Sequence, residues 1–329
     1  MTAQTMNAIT YREAVTQALA EELERDSDVI LLGEDIGQSG GVFKATDGLQ
    51  ERFGSDRVLD TPIAEQAIVG CAIGAAATGL RPVAEIMFAD FAGVCYDQIA
   101  NQLAKFRYQT GGQTTMPVTL RLANGGSVGF AAQHSQSVEN WFLSHAGLKI
   151  CVPGTPADLY GLLKSAIRDD NPVLVFEHKA LYQMRGDVED GRLVAIGKAD
   201  VVREGSDITI VATQLMRRRC EEAAELLAAE GIDVELIDPR TLVPLDEETI
   251  LASVARTTRL LCVQECLEPG SWGTWIVAIA VQKAFDSLDG PPSLLSAQPT
   301  PIPFARTLEE AWLPSVARIA DAVRDQVAR

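Results

Sequence analysis

Histidine is scarce: His134, His145 and His178 are the only three in 329 residues, and no zinc site is expected. The six cysteines, Cys71, Cys95, Cys151, Cys220, Cys262 and Cys266, sit in apolar segments and form no Cys-x-x-Cys pair. Neither a redox dithiol nor a zinc knuckle is available, and buried free thiols are expected. No apolar run approaches the roughly 20 residues that span a bilayer, and the start from Met1 to Asn7 lacks the basic and apolar regions of a signal peptide. A cytoplasmic chain with no membrane partner is expected. Positive charge is also short, 28 Lys and Arg against 45 Asp and Glu for a net −17. Such a surface offers no basic field to displace counterions from phosphates, so nucleic acid is not an expected partner. There is no G-x-G-x-x-G turn, no P-loop and no Gly-Asp-Gly, which argues against an NAD or ATP site in this chain.

What is present is globular. An apolar content of 47% against 22% charged is far from the disorder signature, and the length fits roughly two domains of about 150 residues. Thr10 and Glu13 form a capping box opening a helix whose Ala14, Val15, Ala18, Leu19 and Leu23 recur at helical spacing. Val29 to Leu32 reads as a buried strand ending in the polar cluster Gly33-Glu34-Asp35, at the end of a strand where open parallel sheets place their ligands. Gly40, Gly41 and Gly48 break a loop before a short helix. Strands are expected at Arg57 to Leu59, Pro82 to Met87, Pro117 to Leu122, Leu148 to Val152 and Val173 to Phe176, with a helix starting at Thr155-Pro156. One long helix is expected from Phe91 through Leu103 to the stop at Gly111-Gly112, and the glycine-rich run from Ala123 to Phe130 reads as a mobile connection.

Between residues 183 and 206 the chain turns polar and loses its period. The alternation then restarts with a strand at Asp207 to Thr213, a helix near 215 to 229 ending at Gly231, a strand at Ile232 to Ile237, a helix from Asp246, a strand at Arg259 to Val263 and a helix near 273 to 286. The expected fold class is α/β with two doubly wound domains: residues 1–185, a linker over 186–205, and a smaller domain over 206–329.

Thr61-Pro62 is a cap-and-proline signal that starts a helix near Ile63 and puts Glu65 among the unpaired amides at its positive end. Spacing alone leaves open whether Glu65 complements the helix dipole or does chemistry. The helix that follows is small on one side, with Gly70, Gly74, Ala75 and Ala77, and reads as a surface against which another backbone packs. His134, in Gln133-His134-Ser135-Gln136 after the glycine-rich run, is open in the same way between a structural and a catalytic part.

The segment Asp60-Thr61-Pro62-Ile63-Ala64-Glu65 resembles the Asp-Thr-Pro-x-x-Glu region of the beta subunit of thiamine-diphosphate-dependent 2-oxoacid dehydrogenases. The resemblance runs through Leu32-Gly33-Glu34-Asp35, Gly40-Gly41-Val42-Phe43, Thr46-Asp47-Gly48-Leu49, Gly79-Leu80-Arg81-Pro82, Ala132 to Gln136, Ile167 to Pro172 and Ile237 to Thr241. It implies a transketolase-like pyrimidine-binding domain followed by a transketolase-like C-terminal domain. It also implies oxidative decarboxylation of a small 2-oxo acid with acyl transfer to a lipoyl group. By the same resemblance, Glu65 hydrogen-bonds the thiamine pyrimidine and so promotes loss of the thiazolium proton. Glu34 lies near the cofactor at the subunit interface, Phe91 packs on the pyrimidine, and His134 steers protons or the lipoyl dithiolane. A structural K+ is implied on Val118, Ala166, Ile167, Asp169 and Asn171.

Family members hold the diphosphate through Mg2+ with a Gly-Asp-Gly segment that this chain lacks. An alpha subunit carrying it, in an alpha2beta2 tetramer, is the implied partner, along with a lipoyl-bearing acyltransferase core. Trp272 stands where small residues are common, which bears on docking to that core. The stretches Phe88 to Phe91, Lys105 to Tyr108 and Glu177 to Lys179 look closer to acetoin dehydrogenases, while Gly40 to Phe43 looks like the pyruvate and branched-chain enzymes. Pyruvate is the first choice of substrate, with acetoin or a branched-chain 2-oxo acid as alternatives and a non-catalytic assembly subunit as the rival of another class.

Overall fold

Thr10 opens the first helix as its capping box requires. Its hydroxyl accepts from the Glu13 amide at 3.1 Å and the Glu13 carboxylate accepts from the Thr10 amide at 2.7 Å. In this computed structural model, which describes residues 6–328, the reading made on the amino-terminal residues before Met6 lies outside the described part. Contacts divide the chain into two units, one of Met1–Asn124 and Trp141–Ile196, the other of Gly125–Asn140 and Gly197–Arg329.

In the first unit β1 (Met6–Thr10) leads into α1 (Tyr11–Arg25), β2 (Val29–Gly33), α2 (Leu49–Phe53), β3 (Val58–Asp60), α3 (Glu65–Ala77) and β4 (Arg81–Ile86). After β4 come α4 (Phe106–Gln109), β5 (Thr119–Asn124), β6 (Lys149–Cys151), α5 (Pro156–Arg168), β7 (Val173–His178) and β8 (Arg185–Glu189). Strands β6-β7-β5-β4-β2-β3 lie side by side in that order, every pairing parallel. β5 and β7 are buried at every residue, as parallel strands covered on both faces must be. The order places β3 on one side of β2 and β4 on the other. The carboxyl ends of these three strands therefore flank the point where the winding reverses, where open α/β sheets bind ligands.

The second unit contains β9 (Asp200–Arg203), β10 (Ile208–Ala212), α6 (Gln214–Ala228), β11 (Val234–Asp238), β12 (Thr241–Val243), α7 (Glu247–Thr257), β13 (Leu260–Val263), α8 (Trp272–Lys283), β14 (Ser293–Leu295), α9 (Arg306–Trp312) and α10 (Val316–Val327). Its sheet runs β14-β13-β10-β11-β9, parallel except for the edge strand β9. On β10, Ile208, Ile210 and Ala212 pack with Met216, Cys220 and Ala224 of α6 and Ile319 and Val323 of α10. Thr209, between them, bonds Ser253 and Thr257 of α7 at 2.6 Å each. Successive strand residues face opposite sides, so helices cover both faces and the doubly wound expectation holds.

Four local expectations are corrected. The single helix expected after Phe91 is a 3-10 turn over Ala89–Gly93, a π turn over Gln98–Leu103 and the short α4. The polar stretch after residue 183 is not structureless, because β8 pairs antiparallel with β1 and β9 with β11. α3 starts at Glu65 and not near Ile63: the Thr61 amide bonds back to the Gly33 carbonyl at 3.0 Å, which keeps the chain extended past the sequence's cap signal. Cys71 is exposed on α3, whereas the other five cysteines are buried. Burial pushes the Cys151 thiol up to about 12, out of the range where a thiolate forms.

Candidate functional site

Three strand ends deliver the candidate residues of the first unit. Glu34 follows β2, Glu65 follows β3 as the first residue of α3, and Phe88 and Phe91 follow β4. Glu34 and Glu65 are 8% and 7% exposed. No side chain caps α3, whose preceding residue is Ala64, so the helix presents its free amide end beside Glu65. Burial, and then the charges of Glu65, Asp35 and Glu85, push the Glu34 carboxyl above the usual carboxylate range. The Glu65 charge also reaches Cys95, whose thiol is raised to about 12 by burial first and by Glu65 second.

Among the described residues neither Glu34 nor Glu65 has a side-chain hydrogen bond or an ion pair. Their oxygens are not among the enclosed unpartnered atoms, so a bound group can reach them, and a protonated ring nitrogen or an exocyclic amine would supply the donors they lack. The half-buried Phe91 supplies an apolar wall, its ring centroid 5.8 Å from that of Phe88.

Behind these residues lies a network that the sequence reading missed. Arg121 on β5 forms a fork with Glu177 on β7 at 2.6 and 2.9 Å and bonds Glu85 on β4 at 2.5 Å. Tyr182 donates to Glu177 at 2.9 Å. One guanidinium serves two carboxylates, and burial pushes Glu85, the acid with the single bond, upward despite Arg121. Phe43 stacks on Tyr182 at 5.0 Å and meets Phe88 edge-on at 5.6 Å. The network thus backs the aromatic wall that ends in Phe91. The signal was available: Glu85 and Arg121 are lone charges inside apolar strands, directly paired in register.

His134 falls in the other unit, in the excursion Gly125–Asn140. It is half-buried, and its amide closes a turn onto the Ala131 carbonyl at 3.5 Å. Its two fellow histidines have structural parts. His178 Nδ1 accepts from the Ala180 amide at 3.2 Å, and His145 lies 3.3 Å from the Tyr96 hydroxyl. Trp272, the departure noted above, is 1% exposed.

Of the potassium candidates, Ala166, Ile167, Asp169 and Asn171 lie at the end of α5, and Val118 lies just before β5. The Ile167 and Asp169 carbonyls each accept from Arg81 Nη1 at 3.2 Å, the Ala166 carbonyl from the Asp169 amide at 3.1 Å and the Val118 carbonyl from the Val173 amide at 3.0 Å. The Asn171 amide group donates to Asp169 Oδ1 at 2.9 Å. Carbonyl oxygens suit a monovalent cation and each keeps a second lone pair, while the Arg81 charge opposes one. The described residues contain no group of three or more His, Cys, Asp or Glu side chains suited to a metal. Nor do they contain a helix long and apolar enough to cross a membrane.

Comparison with known proteins agrees over the whole length. Residues 7–185 match the family model "Transketolase, pyrimidine binding domain" and residues 197–319 "Transketolase, C-terminal domain". The beta subunit of acetoin:2,6-dichlorophenolindophenol oxidoreductase from Cupriavidus necator is 46% identical, with 96% of each chain covered. From Bacillus subtilis, the 2-oxoisovalerate dehydrogenase beta subunit is 44% identical (97% of this chain, 99% of that one) and the pyruvate dehydrogenase E1 beta subunit 42% (97% and 98%). A solved structure described as a split gene transketolase, inactive beta4 tetramer, superposes with a TM-score of 0.80 over 98% of this chain and 99% of that one, at 24% identity. That match speaks for the fold alone.

Proposed function

Since the chain belongs to the transketolase-like beta subunits of thiamine-diphosphate-dependent 2-oxoacid and acetoin dehydrogenases, we propose that it is the beta subunit of a pyruvate dehydrogenase, acting in oxidative decarboxylation with acyl transfer to a lipoyl group. The observation that carries this reading is the pair Glu34 and Glu65, nearly buried at strand ends without a protein partner. Thiamine diphosphate supplies the nucleophilic carbon and the electron sink that decarboxylation needs. Glu65 accepts a hydrogen bond from the pyrimidine and sets its tautomer, Phe91 packs on the ring, and Glu34 lines the cofactor's side of the subunit boundary. His134 steers protons or the dithiolane during transfer. The diphosphate and its Mg2+ fall to an alpha subunit in an alpha2beta2 assembly that serves a lipoyl-bearing acyltransferase core. The second lone pairs of the Val118, Ala166, Ile167 and Asp169 carbonyls, with Asn171, are the proposed K+ ligands. Residues 1–185, apart from the excursion Gly125–Asn140, are the proposed pyrimidine-binding part and 206–329 the C-terminal part, with β9 lying in the join 186–205.

The relatives divide among acetoin, 2-oxoisovalerate and pyruvate enzymes at similar identity, so acetoin and branched-chain 2-oxo acids are the alternatives. The rival of another class, an assembly subunit without catalytic part, leaves the two unpartnered acids without a purpose. The test has two arms. Calorimetry on the purified chain should show weak or no thiamine diphosphate binding, and tight Mg2+-dependent binding would refute the shared site. Reconstitution with a chain carrying Gly-Asp-Gly should give turnover on one of pyruvate, acetoin or 2-oxoisovalerate, with the largest kcat/KM for pyruvate; turnover on none of them, in an intact tetramer, would favour the assembly subunit.

A further inference from the structure

The glycine-rich turn ahead of His134 is clamped from within. Residues 125–131 carry four left-handed backbone positions, Gly125, Ser127, Gly129 and Ala131, at φ of 82°, 66°, 78° and 59°. Ser127 and Ala131 adopt this conformation without being glycine, at a cost that the surroundings must offset. The turned backbone aims successive amides inward, as in an anion-binding nest, and the anions they meet are side chains of the same unit. Glu309, 0% exposed on α9, accepts from the Ser127 amide at 2.9 Å and the Gly129 amide at 3.0 Å. Glu265 accepts from the Gly126 amide at 2.5 Å. Glu310 accepts from the Ser127 hydroxyl and from Arg219, at 2.6 Å each.

Gly126 sits close against the clamp. A Cβ there would lie 3.3 Å from a carboxylate oxygen of both Glu265 and Glu309 and 3.6 Å from the Ser135 carbonyl. The excursion closes where the Gly125 amide meets the Gln136 carbonyl at 3.2 Å, with the turn from Ala131 to His134 inside that closure. α9 is itself anchored, by a cluster of Ala297, Ile302, Trp312 and Leu313 and by the Trp312 indole on the Thr300 carbonyl at 3.1 Å.

We propose that Glu309, with Glu265 beside it, is a positioning residue for acyl transfer: it fixes the 125–131 turn and through it the place of His134. The proposal rests on the reading of His134 as the transfer residue. A carboxylate offers acceptor oxygens at both ends, and two amides 2 residues apart in sequence use both. An amide in its place turns one acceptor into a donor facing an N–H, so Glu309→Gln keeps the shape of the side chain and breaks one arm of the clamp. Gly126→Ala is the milder companion, since it presses on one oxygen of Glu265 and one of Glu309 and leaves Glu309 in place.

The experiment uses the reconstituted tetramer. Hydrogen exchange of the peptide over residues 125–134 reads the clamp, transfer to a lipoylated domain reads the last step, and 2-oxo acid oxidation with a dye acceptor reads the steps before it. Glu309→Gln should speed exchange about tenfold and slow lipoyl transfer about tenfold while dye reduction stays within twofold; Gly126→Ala should do the same more weakly, and Glu309→Asp should recover part of the loss. Unchanged exchange in both variants would show that no clamp exists. Faster exchange with full lipoyl transfer would overturn the positioning role if His134→Ala lowers transfer. If His134→Ala leaves transfer intact, the reading of His134 fails and takes the positioning role with it, while exchange still decides whether the clamp is real.

Discussion

Two pairs of nearly buried glutamates behave oppositely. Glu265 and Glu309 accept backbone amides at 2.5 to 3.0 Å and so hold their own unit together. Glu34 and Glu65 have the same burial class and no such partners among the described residues. Burial alone therefore does not mark an active acid; what separates the pairs is whether the fold supplies the donors. Where it does, the carboxylate is part of the scaffold. Where it does not, the carboxylate is open to a donor from outside the fold, which is the part proposed for Glu34 and Glu65. Glu85 and Glu177 are an intermediate case, because the fold supplies one guanidinium for two acids.

The contrast breaks first at Glu65. Glu65→Gln is nearly isosteric and removes no protein contact, so thermal melting should barely move while decarboxylation falls about 10²- to 10⁴-fold, the usual loss for a positioned acid-base group. Deuterium exchange at the thiazolium carbon of the reconstituted tetramer at the wild-type rate would hand the role to Glu34 or to the alpha subunit. Arg121→Met should do the reverse, stranding Glu85 and Glu177 without a cation at a cost of about 3–5 kcal/mol in chemical denaturation; a loss below 1 kcal/mol would mean that the network is not the support described here. Gly74→Leu tests a surface instead of an acid. A Cβ at Gly70 or Gly74 meets nothing within 4 Å in this chain, so the chain should fold normally while assembly weakens by about 1–3 kcal/mol. An oligomer unchanged in ultracentrifugation would clear α3 of any interface.

The smallest effect concerns Glu34. Its folded carboxyl holds its proton above the usual range, chiefly through burial. The folded state therefore binds that proton more tightly than the unfolded one, and stability falls as pH rises from the unfolded value into the raised one. Glu34→Gln should remove this slope and raise Tm at neutral pH by on the order of 1 °C, with no gain at pH 4. An equal Tm gain at both pH values would remove ionisation as the cause.

The parallel strands were legible because strands covered on both faces are apolar throughout, and the helix after β3 because a cap-and-proline signal precedes it; the part proposed for Glu65 comes from the resemblance and not from spacing. Its helix start was misplaced by two residues' worth of competition: the Thr61 amide prefers the Gly33 carbonyl on the neighbouring strand, a partner no local pattern names. Long-range partners lie behind the other features that sequence did not show. The amides of the run from Ala123 to Phe130 meet acceptors, Glu265 and Glu309, that lie more than a hundred residues away. β8 and β9 read as linker because both are polar strands with exposed residues, each pairing with a distant segment. The placement of His134 outside the unit of Glu65 had no local signal at all.

The excursion Gly125–Asn140 has a consequence for gene architecture. The second unit is discontinuous in sequence: its larger part begins at Gly197, but a piece of it is encoded inside the first. A stop codon after Ile196 followed by a new start would therefore not yield two self-sufficient products, since the downstream polypeptide would lack the turn whose amides Glu265 and Glu309 accept. Those acids would be left buried or swollen open, and the missing turn would remain on the upstream product. Fission of this gene is predicted to give fragments that are stable only when co-expressed, because the upstream fragment carries the turn that the downstream one needs.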